Sequence, residues 1–120
     1  MKYMLLVYHN ETDFNQLGEV AHTTMLAESI QLAREIKPVG HYLAAPLQPT
    51  STATSVRLRD GKRLVTDGPY IETKEQLAGY FFIDVKDIDA AIGIASRVPG
   101  ARIGTVEIRP IRDVPGLPMV

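Results

Sequence analysis

A β-α-β unit, a hairpin and a second β-α-β unit follow one another along 120 residues, and this order predicts an α+β protein of the ferredoxin-like βαββαβ kind with an inserted β-hairpin. Three observations carry the prediction. Residues 19–37 and 88–98 repeat apolar side chains at the helical period. Four runs, beginning at Lys2, His41, Gly79 and Ile103, are rich in β-branched and aromatic residues. Asp60-Gly61 stands between two strand-like runs, the strongest short signal for a two-residue hairpin.

The first strand, Lys2–Tyr8, carries Tyr3, Leu5 and Val7 on one face and Met4, Leu6 and Tyr8 on the other. Both faces are apolar, whereas a strand with one wet face alternates apolar and polar residues. Asn10–Gly18 reads as a polar loop with room for one turn from Asp13 to Gln16, a D-x-x-Q cap pattern. The first helix, Glu19–Lys37, has a stripe of Met25, Leu26, Ile30, Leu32, Ala33 and Ile36, with His22 inside it and therefore turned inward. Pro38 and Gly40 end the helix, and His41–Ala45 is a short second strand. Thr54–Arg59 and Lys62–Thr66 form the hairpin, with Val56 and Leu58 expected on its inner face.

Thr73–Gln76 has the T-x-x-Q form of a capping box and predicts one helical turn. Gly79–Val85 is a strand with Phe81, Ile83 and Val85 on one face and Tyr80 and Phe82 on the other. Asp87 caps the second helix, whose stripe is Ile88, Ala91, Ile92, Ala95 and Val98, and Pro99-Gly100 stops it. Ile103–Arg109 is the last strand. Residues 1–111 make one domain and 112–120 a Pro-rich tail. Both helices would cover one sheet face, so the second apolar face calls for a homodimer packed sheet to sheet. One helix on each face of a monomer is the competing arrangement.

Composition narrows the function classes. Thirteen basic against fourteen acidic residues, net charge −1, leave no basic excess for nucleic acid. With no cysteine, thiol and disulfide chemistry are excluded. No signal peptide or membrane span is legible at the N-terminus, and a soluble cytoplasmic protein is expected. Phosphate-cradling and serine-hydrolase motifs are absent from the sequence, so no cofactor is called for. Of the three histidines, His41 falls at the opposite end of the sheet from His9 and His22, and no metal is expected.

In a ferredoxin-like chain, Tyr8, His9, His22, the stretch Asp67–Tyr70 and Arg102 gather at one end of the sheet. Tyr80 would wall an apolar pocket between helices and sheet, where small ligands commonly bind. His22 is there as a general acid or base, or as a hydrogen-bonded core histidine. Asp67, beside the fixed Gly68-Pro69 turn, orients His22 or serves turn chemistry. Glu72, Lys74 and Glu75 read as a solvated or cap-forming cluster.

The opening M-K-Y-M-L-L-V-Y, the run V-T-D-G-P-Y-I-E-T-K-E-Q-L-A-G-Y-F-F-I-D-V and the ending G-T-V-E-I-R-P-I resemble the YCII-related family, closest to its D-G-P-F branch. Tyr70 stands where that branch has Phe. The resemblance implies a dimeric α/β-barrel. It also implies, for some relatives, chemistry on small aromatic or lactone-like compounds through a His–Asp pair. Ala21-His22 with Leu26 fits the family's histidine context, but Val98 stands where the carboxylate would be, leaving Asp67 as its replacement. Catalytic His22 and Asp67, with Tyr8, His9, Tyr70, Tyr80 and Arg102 binding substrate, is the resulting site. The resemblance further suggests a regulatory setting beside an extracytoplasmic-function sigma factor. Three classes stay open: a cofactor-free isomerase or lyase, a non-catalytic ligand-binding or regulatory protein, and a structural dimer.

Overall fold

The computed structural model describes residues 1–36 and 44–118. Strands β1 (Lys2–His9), β2 (Ala44–Pro46), β5 (Gln76–Asp84) and β6 (Thr105–Pro110) form one sheet in the order β2-β5-β1-β6, every neighbouring pair antiparallel. This is the ferredoxin-like order. Among the described residues three α-helices lie between the strands: α1 (Glu11–Gln16), α2 (Glu19–Ile36) and α3 (Ile88–Ala95). The hairpin of β3 (Thr54–Arg59) and β4 (Lys62–Asp67) is a separate two-stranded sheet.

The core lies on one sheet face. Tyr3, Leu5 and Val7 of β1 and Phe81 and Ile83 of β5 are buried there with Leu32 of α2 and Ala91 and Ala95 of α3. Leu5, fully buried, sits in register with Phe81 on one side and Ile108 on the other. Both long helices therefore pack on the same face, which decides against one helix on each side. Met4, Leu6, Tyr8, Tyr80 and Phe82, on the opposite face, are only half-buried.

Most boundaries follow local chemistry. Asp60 (φ 51°) and Gly61 (φ 73°) both take positive φ, the two-residue turn that matches strand twist. Asp87 accepts the Ala90 N–H and caps α3. Three expectations are corrected. Asn10, not Asp13, caps a real helix, its side chain accepting the Asp13 N–H at 2.9 Å. Thr73–Gln76 is not helical: the Gln76 side chain bonds back to the Thr73 carbonyl, and the Gln76 backbone is claimed by pairing with His9. The hairpin has no covered inner face, with Val56 61% and Leu58 70% exposed. The second strand begins at Ala44 among the described residues, and its expected start at His41 lies outside them.

The accessible surface is 8685 Å², against roughly 6,450 Å² for a compact chain of this mass. The radius of gyration is 16.2 Å, against roughly 13–14 Å for a compact domain of this length. The projecting hairpin and the half-exposed outer sheet face account for the difference in direction.

Candidate functional site

A cleft of about 460 Å³ opens between α2 and the helix-side face of the sheet. Its walls are mostly apolar. Val7 and Phe81 line it from the sheet, Met25, Leu26, Ile30 and Ala33 from α2. Val98, Pro99 and Gly100 close one side, where a turn runs against β1 so tightly that a Cβ on Gly100 would meet Val7 Cγ1 at 2.5 Å. Two ion pairs tie this turn region to α2: Arg102 grips Glu28 with both terminal nitrogens (2.8 and 3.0 Å), and Arg97 bonds Glu35. Each guanidinium holds its carboxyl below the ordinary glutamate range.

The two imidazoles of the cleft are gathered at one end, and Arg34 lines it further along α2. His9 ends β1 in phase with the inward Tyr3, Leu5 and Val7, so the strand delivers it to the helix side. The cap at Asn10 then starts α1, and Gly18, at φ 88°, reverses the chain into α2. This short helix inserts Phe14 between two imidazoles. The Phe14 ring stacks on His9 at 4.3 Å and on His22 at 4.1 Å between centroids, both within 5° of parallel. His22 sits in the first turn of α2, its N–H bonded to the Gly18 carbonyl. Its Nε2 lies 2.6 Å from the Phe14 carbonyl. A carbonyl only accepts, so Nε2 carries a proton, and in the neutral ring the lone pair is then on Nδ1.

Polar bonds secure α1 around this stack. Asn10 donates to the Lys74 carbonyl (2.9 Å), and the Glu11 N–H donates to the Gln76 side chain (2.9 Å). The Glu11 carboxylate accepts from the Thr50 N–H (2.9 Å) and from its hydroxyl. Glu75 accepts the Thr105 hydroxyl at 3.0 Å. Burial pushes the His9 pKa below its ordinary 6.5, the nearby Glu11 and Glu75 carboxylates pull it upward, and His22 pushes it down. His9 is consequently neutral at pH 7.

Of the residues singled out from sequence, His22 and His9 border the cleft, and Tyr80 contributes to its lining although its register on β5, opposite Leu6, is that of the outer face. Tyr8, Asp67, Tyr70 and Arg102 do not line it. Asp67 ends β4 opposite Thr54 in the projecting hairpin and is exposed, and the His22 ring bonds a backbone carbonyl in place of a carboxylate. Tyr70 is 72% exposed, and Arg102 is committed to Glu28. Two contributors went unread. Phe14 gave no signal, because a six-residue helix has no period to display. Glu75 belonged to a charged run, and only the pairing of Gln76 with His9 puts it beside an imidazole. Among the described residues, no group of three or more His, Cys, Asp or Glu side chains could hold a metal ion. Among the same residues no helix is long and apolar enough to cross a membrane.

Sheet order, helices on one face and an apolar cleft ending in two imidazoles define an α+β protein of ferredoxin-like topology with an internal pocket. Residues 1–115 match the YCII-related domain. A protein of Rhizobium meliloti (strain 1021), itself described as uncharacterised, is similar, 31% identical over 114 residues that cover 92% of each chain. The chain belongs to the YCII-related family.

Proposed function

We propose that the protein binds a small, largely apolar organic molecule in the cleft under α2 and performs cofactor-free proton transfer on it, as an isomerase or lyase would. The observation that carries this reading is the pair of imidazoles flanking Phe14 at the wall of a mostly apolar cavity. A neutral imidazole in such surroundings is a competent base near pH 7. His9 is kept neutral by burial, and His22 offers Nδ1 while Nε2–H is held by the Phe14 carbonyl. Proton transfer by a positioned side chain contributes about 10²–10⁴-fold. The test is deuterium exchange, followed by proton NMR in D₂O, of carbon acids that bind the cleft. Wild-type protein should exchange them, and His9→Gln or His22→Gln should lower the rate at least tenfold. Binding without exchange by the wild type would refute catalysis.

That outcome would favour the second reading, a non-catalytic binding or regulatory protein, with a sigma factor as one partner to test by co-purification. The observation on its side is that the His22 ring is already stacked and hydrogen-bonded to backbone. The run D-G-P-Y-I-E-T-K-E-Q supports assignment to the D-G-P-F branch. We also read the chain as a homodimer through its outer sheet faces. Met4, Leu6, Tyr8, Tyr80 and Phe82, half-buried on that face, support this.

A further inference from the structure

We propose that the ligand of the cleft is a small organic acid, its carboxylate on Arg34 and its apolar body extending along α2 toward His22. This rests on the reading of the cleft as a ligand site and names the class of molecule it takes. Among the described residues that line the cleft, Arg34 alone carries a permanent charge, and none is Asp or Glu. Nearby arginines are already occupied, Arg97 by Glu35 and Arg102 by Glu28. Among the described residues Arg34 has no carboxylate at ion-pair distance. Residues 37–43, which follow α2 in the sequence, contain no Asp or Glu.

A lone guanidinium beside an apolar wall selects its partner. It matches a planar carboxylate with two parallel N–H donors, and Arg34, itself exposed, stands at the edge of the apolar wall. A cationic ligand would meet repulsion with no counter-charge. A dianionic phosphate ester would bring two charges to one cation. A monoanionic carboxylate balances the site.

Spacing sets the length of the acid. Arg34 follows His22 by twelve residues, roughly 18 Å along the axis at 1.5 Å per residue. Helical side chains lean toward the N-terminus, so the guanidinium reaches back and shortens the gap. Ser29, Ile30 and Ala33 lie between the two poles. An arylalkanoic or medium-chain alkanoic acid spans this interval, whereas acetate does not.

The test uses 4-phenylbutyrate and its neutral amide, 4-phenylbutyramide, titrated into the full chain and into Arg34→Met. Methyl resonances of Ala33 and Ala44, both in the cleft wall, report binding. The acid should bind about tenfold or more tightly than the amide, as expected for a charge-assisted hydrogen-bonded pair. Arg34→Met, which keeps the apolar stem, should erase that preference and leave amide binding unchanged. Equal affinity of acid and amide for the wild type would overturn the acid assignment while the cleft reading stood. So would an acid preference that survives in Arg34→Met. Failure of both compounds to move either methyl would overturn the proposal together with the cleft reading.

Discussion

Replacing Phe14 with alanine removes the ring that lies between the two imidazoles and tests the physics of the site. The ring makes two parallel contacts, at 4.3 Å with His9 and 4.1 Å with His22. Each aromatic pair contributes about 0.5–1.5 kcal/mol beyond area burial, and burying part of a phenyl ring adds about 1 kcal/mol more. Phe14→Ala should therefore destabilise the fold by about 2–4 kcal/mol in urea unfolding at pH 8. The pH dependence is the sharper readout. Burial lowers the His9 pKa in the folded state below 6.5. As pH falls below 6.5, the unfolded chain takes up this proton before the folded chain does. Stability is thus lost on acidification through the folded pKa and is restored above pH 6.5. Opening the stack to water moves the folded pKa back toward 6.5, so Phe14→Ala should lose less stability than wild type between pH 7 and pH 5. The gap between the two proteins should narrow on acidification. A gap constant from pH 8 to pH 5, or one that widens, would refute the claim that the stack desolvates His9.

Three further outcomes follow from particular residues. Gly104→Ala and Gly93→Ala are the same chemical change with opposite expected signs. A Cβ on Gly104 would stand 2.0 Å from the Tyr8 carbonyl oxygen, while one on Gly93, inside α3, meets nothing within 4 Å. Urea unfolding should give a loss of about 2 kcal/mol or more for the first and a gain of about 0.5–1 kcal/mol for the second. Leu6→Lys places a charge on the outer sheet face, in register with Glu107 and Tyr80. Sedimentation should find wild type dimeric and the variant monomeric with unchanged circular dichroism, and a monomeric wild type would refute the dimer. Gly61→Val strains the hairpin turn, where φ is 73°. Amide exchange should accelerate in β3 and β4 and stay slow in β1 and β5, because the hairpin is a separate sheet.

Legibility in the sequence tracked locality. Asp60-Gly61 specified its turn, Asp87 its cap and the two-faced strands β1 and β5 the sheet, because each signal is carried by neighbouring residues. The T-x-x-Q pattern at Thr73 misled for the complementary reason: a long-range pairing of Gln76 with His9 outweighed a local cap. Helix phase turned His22 inward, and topology alone placed His9 at the same end of the sheet. Phe14 was not legible, since its role depends on a chain reversal at Gly18 that brings a six-residue helix between them. Asp67 looked placed for chemistry by its turn, yet the hairpin projects from the domain and carries it to solvent. Glu75 shows the reverse, a residue in a solvated-looking run that register puts beside His9.

The central claim is that the His9–Phe14–His22 stack forms the polar end of a ligand cleft. Its most direct test is a pH titration of the histidine ring resonances by NMR, assigned with His9→Gln and His22→Gln and repeated with aromatic and aliphatic small molecules. His9 should titrate below its ordinary 6.5, and ligands that fill the cleft should shift the His9 and His22 resonances together. A His9 that titrates at or above 6.5, with ring resonances of both histidines indifferent to every compound, would contradict the claim.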